Sequence, residues 1–149
     1  MEKFAELVKE AIKAREKAYA PYSNWLVGAA LLCKDGKIYQ GCNIENFAFT
    51  ATNCAERTAF FKAISEGEYD FEAIAIVGGD RQKGLESYCY PCGVCRQVMS
   101  EFCDPDEFKI INGISEQQYQ VYTLREMLPH AGYVKGGNNE GNSFFGNKV

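Results

Sequence analysis

At 149 residues, 46% of them hydrophobic and 24% charged, the chain has the length and composition of one soluble globular domain, able to bury about two-thirds of its unfolded surface. A formal net charge of −4 and a pI near 5.1 argue against a nucleic-acid partner, which requires clustered Lys and Arg to displace counterions. The heavily charged first twenty residues do not read as a signal peptide and no apolar run approaches the ~20 residues that span a bilayer, so a cytoplasmic protein with no membrane partner is expected.

Phe4, Leu7, Val8, Ala11, Ile12, Ala14, Ala18 and Tyr19 recur at helical spacing and predict an amphipathic helix that ends before Pro21. Two apolar stretches, 25–33 and 37–44, are joined through Asp35-Gly36, a pair suited to a tight turn between antiparallel strands. Helical period returns over 54–65 and stops at Gly67. The run 73–77 is continuously apolar and closed by Gly78-Gly79, as expected of a strand buried on both faces, so helices must cover both sides of its sheet. A third helix is predicted over 91–102, strands over 108–111 and 119–122, and a short helix capped by Thr123-x-x-Glu126 and stopped by Pro129. The order α-β-β-α-β-α-β-β predicts a three-layer α/β/α sandwich around a mixed five-stranded sheet. The catalytic domain is expected over 1–134, followed by a Gly- and Asn-rich tail over 135–149, expected to be mobile, that carries Phe144 and Phe145.

Seven cysteines in a reducing compartment read better as metal ligands, nucleophiles or small core residues than as disulfides. Pro91-Cys92-Gly93-Val94-Cys95 puts two sulfurs one helical turn apart, and Cys54 opens the preceding predicted helix. Two helix N-termini would then point at one metal, and their positive dipole ends favour thiolates. Zn²⁺ accepts such ligands and in catalytic sites keeps one position open. Three thiolates with Zn²⁺ carry net −1, which a positive neighbour should offset, and Arg57 is the candidate. Other readings stand beside this one. Asn53-x-x-Glu56 is compatible with a plain helix cap. The C-x-x-C-x-x-C run of Cys89, Cys92 and Cys95 resembles an iron–sulfur motif, although Met99 occupies the place of its fourth cysteine. Cys89 or Cys103 could close a purely structural zinc site. Cys33 and Cys42 read as core residues, and His130 as a surface residue.

The Cys54-Ala55-Glu56 triplet and the later Pro91-Cys92-x-x-Cys95, with the segments 19–23, 27–30, 43–46 and 54–58, resemble the small, three-cysteine branch of the zinc-dependent cytidine deaminase family. The resemblance implies one Zn²⁺ per chain on Cys54, Cys92 and Cys95. It implies hydrolytic attack at C4 of cytidine or deoxycytidine with release of ammonia, as in pyrimidine salvage, and Glu56 as the proton carrier. It also assigns Arg57 to the ligand sulfurs, Asn43 and Glu45 to the ribose hydroxyls, and the backbone of Ala55 to the base. Trp25 stands where the family has Phe, and Phe49 where it has a Tyr reaching across a subunit boundary; both keep an aromatic face for the base. The implied assembly is a homotetramer with active sites at subunit boundaries. Phe47 replaces a small residue, Gly132 stands in place of an aromatic, and Gly132-Tyr133-Val134 resembles blasticidin S deaminase. A modified cytosine nucleoside is therefore the alternative substrate, and a non-catalytic structural-zinc interaction domain the alternative of another class.

Overall fold

Strand β3 (Phe71–Asp80) sorts the apolar residues of the chain by parity. Ala73, Ala75 and Val77 face one core with Phe4, Leu7, Val8 and Ala11 of helix α1 (Glu2–Arg15). Ile74 and Ile76 face the other core with Ala55, Ala59, Phe60 and Ala63 of helix α2 (Ala55–Ser65) and Cys95 and Met99 of helix α3 (Gly93–Phe102). A strand buried on both faces has no polar face to alternate, which explains its continuous hydrophobicity. The computed structural model that shows this describes residues 2–131. Gly132, Tyr133, Val134 and the segment 135–149 with Phe144 and Phe145 lie outside the described residues.

The sheet has the order β2-β1-β3-β4-β5. β1 (Trp25–Cys33) pairs antiparallel with both β2 (Ile38–Cys42) and β3. β3 pairs parallel with β4 (Lys109–Ser115), and β4 antiparallel with β5 (Gln118–Thr123). The expected three-layer α/β/α sandwich with a mixed five-stranded sheet is observed. A 3₁₀ turn, Phe49–Ala51, precedes α2, and helix α4 (Leu124–Met127) closes the described chain with both halves of the Thr123–Glu126 capping box formed. Among the described residues no helix is long and apolar enough to cross a membrane.

Three boundaries differ from the sequence pattern for tertiary reasons. α1 ends at Arg15, well short of Tyr19, because the Arg15 guanidinium donates to the carbonyls of Leu26 (3.1 Å), Gly79 (2.9 Å) and Asp80 (2.9 Å). Tyr19 is drawn instead into extended pairing, its N–H on Asn43 O (2.9 Å) and its carbonyl on Glu45 N–H (2.8 Å). β2 stops at Cys42 because the Asn43 side chain takes over its partner: Oδ1 accepts from Val27 N–H (2.9 Å) and Nδ2 donates to Trp25 O (2.8 Å). β3 runs through Gly78 and Gly79 to Asp80, since Trp25 to Val27 of β1 continue the ladder there.

Two glycines set how closely the helices approach. A Cβ on Gly28 would lie 2.1 Å from Ala11 O and 2.5 Å from Arg15 N, so β1 touches the backbone of α1. On the opposite face a Cβ on Gly41 would lie 2.3 Å from Ala55 O and 2.5 Å from Ala59 N of α2. Phe60, fully buried, then packs edge-on to Phe71 with ring centroids 5.0 Å apart and lies 6.0 Å from Phe108, each such pair adding about 0.5–1.5 kcal/mol beyond area burial. Gly41→Ala is expected to destabilise the fold by about 3 kcal/mol, the upper range for overpacking against backbone. Gly93→Ala, whose Cβ meets nothing within 4 Å, should be neutral or stabilising by up to about 1 kcal/mol. Urea unfolding of the two variants checks the contrast.

Candidate active site

Helices α2 and α3 begin on the same side of the sheet, and their first turns carry the chemistry. Cys54 is the N-cap of α2 and Cys92 the N-cap of α3, both with extended backbone. The Cys92 sulfur accepts from Cys95 N–H (3.4 Å), a thiolate-type cap. Cys54 makes no side-chain cap; its sulfur lies 3.7 Å from that of Cys92. The sulfurs of Cys54, Cys92 and Cys95 all lie within 4.8 Å of one another. The start of α3 is braced by Arg96, which donates to Pro91 O and to Met127 O, both at 2.7 Å.

Electrostatics at this point favour anionic sulfur. The Arg57 Nη2 donates to the Cys54 sulfur at 3.2 Å. Burial works against the charge on Arg57, but hydrogen bonds to the Cys54 and Cys95 sulfurs outweigh it and hold the guanidinium firmly protonated. The Cys54 thiol is pushed down to about 5, first by a hydrogen bond from Cys95 and, against burial, by Arg57. Cys95 moves up by the same hydrogen bond and by burial, so the pair shares one proton with Cys54 as the thiolate. Glu56 is almost wholly buried, and burial pushes its carboxyl up to about 7, partly offset by its own backbone N–H.

The donor set suits zinc. Three soft sulfurs converge, two helix N-termini face them, and Arg57, whose Nε is buried without a partner, supplies compensating charge. Cys89 does not join the triad: its sulfur lies 2.7 Å from where a Cβ on Gly78 would be, with the Trp25 Nε1 3.1 Å from the same point. Cys33 is a buried core residue as read, whereas Cys103, offered by the sequence as a fourth ligand of a structural zinc site, is buried in the α2–α3 core. Cys42 is only half-buried and its sulfur donates to Lys17 O (3.4 Å). His130 is exposed, at φ 55°. Among the described residues no fourth sulfur lies within the triad, which leaves neither the iron–sulfur nor the four-sulfur structural reading a ligand set.

A cleft of about 310 Å³ is lined by Tyr22, Ser23, Glu45, Phe49 and Thr52, the last of them two positions before Cys54. It brings Glu45 and Phe49 together. Trp25 is partly exposed at the start of β1, and Phe47 and Phe49 are among the most exposed hydrophobic residues of the chain, at 87% and 79%. Asn43 does not line the cleft; its side chain is committed to the β1 backbone. Ala55 is fully buried, its carbonyl against Gly41, which leaves its N–H at the first helical position free of intrahelical bonding. Tyr22, Ser23 and Thr52 carry no role in the sequence reading. The signal was the polar Pro21-Tyr22-Ser23-Asn24 stretch directly before an apolar strand.

A family model described as the cytidine and deoxycytidylate deaminase zinc-binding region matches residues 1–110. The chain belongs to this family. It is 58% identical over 129 residues to a cytidine deaminase of Sporosarcina psychrophila, covering 85% of this chain and 88% of that one. The crystal structure of a cytidine deaminase from Burkholderia pseudomallei superposes with a TM-score of 0.75 at 44% identity, over 85% of this chain and 96% of the other. A blasticidin-S deaminase of Bacillus cereus is 34% identical over 108 residues, 69% of this chain and 74% of that one. The family's description names a zinc-binding region, and Cys54, Cys92 and Cys95 form a group of three sulfurs in the matched segment that could hold such an ion.

If Arg57 balances the ligand charge, Arg57→Ala should weaken zinc retention by about 10–100-fold, the usual loss when a partner of a metal ligand is removed. Chelator competition measures this. Zinc affinity equal to that of the unaltered chain would refute the assignment.

Proposed function

We propose that the chain hydrolyses the exocyclic amine of cytidine and deoxycytidine, giving the uracil nucleoside and ammonia in pyrimidine salvage. The observation that carries the reading is a buried carboxyl, Glu56, two residues beyond a zinc-ligand sulfur and raised to about 7. Zinc held by the three sulfurs supplies a Lewis acid that brings ionisation of water into the neutral range. Glu56, in the first turn of α2, accepts a proton from water and delivers it to ring N3 as the C4–O bond forms; it then takes the proton of the new C4 hydroxyl and passes it to the amino nitrogen as the C4–N bond breaks, releasing ammonia. A carboxyl with acidity near neutrality is suited to move a proton in both directions. Glu45 and Phe49 bind the sugar end and one ring face, and Asn43 fixes the backbone of Trp25. The Ala55 N–H, at the first helical position before Glu56, is the backbone donor assigned to the base.

The exposed aromatics Tyr22 and Phe49 line the cleft, and Phe47, two positions before Phe49, is 87% exposed; such apolar surface is better suited to a neighbouring subunit than to water. The assembly we infer is a homotetramer whose sites lie at subunit boundaries, one zinc per chain, working in the cytoplasm, with residues 1–134 as the catalytic unit. Light scattering should give a particle of four chains.

The similarity to a blasticidin-S deaminase and the bulky Trp25 and Phe47 support a second reading, a modified cytosine nucleoside as substrate. Ultraviolet-monitored assays with cytidine, deoxycytidine, blasticidin S and free cytosine separate the two. Cytidine and deoxycytidine are expected to turn over, and Glu56→Ala to lower kcat by about 10²–10⁴-fold, the contribution of a positioned acid–base group. Failure of the zinc-loaded chain on all four compounds would overturn the function.

A further inference from the structure

The charged group of the cleft is the Glu45 carboxylate, and its hydrogen bonds are nearly filled before any ligand arrives. Its Oε1 accepts from Tyr22 N–H (2.9 Å) and Ser23 N–H (3.2 Å), and its Oε2 accepts from the Ser23 hydroxyl. An ionised carboxylate offers about four acceptor positions. Three are taken by two consecutive residues, and the one left lies on Oε2. The Ser23 hydroxyl is equally committed: its proton goes to Glu45, and its oxygen accepts the Trp25 N–H (3.0 Å). Trp25 is fixed from the other side by Asn43 on its carbonyl (2.8 Å). Ser23 therefore ties the carboxylate to the first residue of β1, and Tyr22, Ser23 and Glu45 line the same cleft. Burial alone would raise the Glu45 carboxyl; hydrogen bonds from Ser23 and Tyr22 prevail and hold it below the ordinary carboxylate value.

We propose that Ser23 is a positioning residue for sugar recognition: it holds the Glu45 carboxylate so that a single Oε2 acceptor is presented to one hydroxyl of the nucleoside ribose. The proposal rests on the nucleoside reading of the cleft. Removing the hydroxyl frees a second lone pair on Oε2 and releases the carboxylate from β1, so the loss falls on substrates that carry the hydroxyl. Substrates without it are bound as before.

The test compares kcat and KM of the zinc-loaded enzyme for cytidine and for 2′,3′-dideoxycytidine, with zinc content measured for each variant. Ser23→Ala should raise KM for cytidine about tenfold, the scale of one hydrogen bond to a charged group, with kcat little changed and the KM for the dideoxy compound unmoved. Ser23→Thr, which keeps the hydroxyl, should restore the cytidine KM. Glu45→Gln should show the same selective loss, and adding Ser23→Ala to it should cost nothing more for cytidine, a readout that a general structural role would not reproduce. An equal loss on both compounds, or no loss on cytidine, overturns the role of Ser23 while leaving deamination intact. No turnover of either compound by the unaltered enzyme overturns the nucleoside reading and this proposal with it.

Discussion

Three sulfurs within 4.8 Å of one another cannot all carry charge unless positive potential faces them, and that requirement shapes the whole candidate site. Two sources meet it. The N-termini of α2 and α3 present unpaired N–H groups and positive dipole ends to the sulfurs. Arg57 adds a full charge, 3.2 Å from Cys54. Zinc on three thiolates would leave net −1, a charge that the Arg57 guanidinium is placed to offset. The same helix start places Glu56 where burial raises it toward neutrality, so the Arg57 charge and this carboxyl come from one turn of one helix.

That turn must sit at a definite height above the sheet, and close backbone contacts set it. Gly41 lets α2 rest directly on β2, and the fully buried Ala59 and Phe60 fill the space behind. α3 is set from its own end by Arg96, which joins Pro91 to α4. On the opposite face Gly28 and Arg15 do the equivalent for α1. Misplacing reacting groups by about an ångström can reduce rate 100-fold, which explains why small residues and backbone-directed arginines, instead of bulky packing, define these contacts.

The sugar end follows a different logic. Asn43 and Glu45 both carry side chains that could meet ribose, yet the fold uses them unequally. Asn43 replaces the next residue of β2 as hydrogen-bond partner of β1. Glu45 keeps one acceptor free while Tyr22 and Ser23 hold the rest. Asn43 is thus committed to the β1 backbone, and Glu45 opens onto the cleft directly.

Much of this was legible in the sequence because local rules sufficed. The unbroken apolar run 73–77, the turn at Asp35-Gly36 and the capping box at Thr123 each depend on a few neighbouring residues, and the observed sheet and helices follow them. The placing of Cys54, Cys92 and Cys95 at two predicted helix starts likewise anticipated that their sulfurs converge, and Arg57, singled out for its charge, does reach the Cys54 sulfur. Tertiary structure alone decided the rest. α1 stops at Arg15 because distant carbonyls of Leu26, Gly79 and Asp80 capture its side chain; Cys89 turns to Trp25 and away from the triad; and Ser23 meets Glu45 across 22 positions of sequence. Periodicity and capping are written between near neighbours, whereas the aim of a side chain depends on which remote backbone group lies within hydrogen-bonding distance once the sheet has formed.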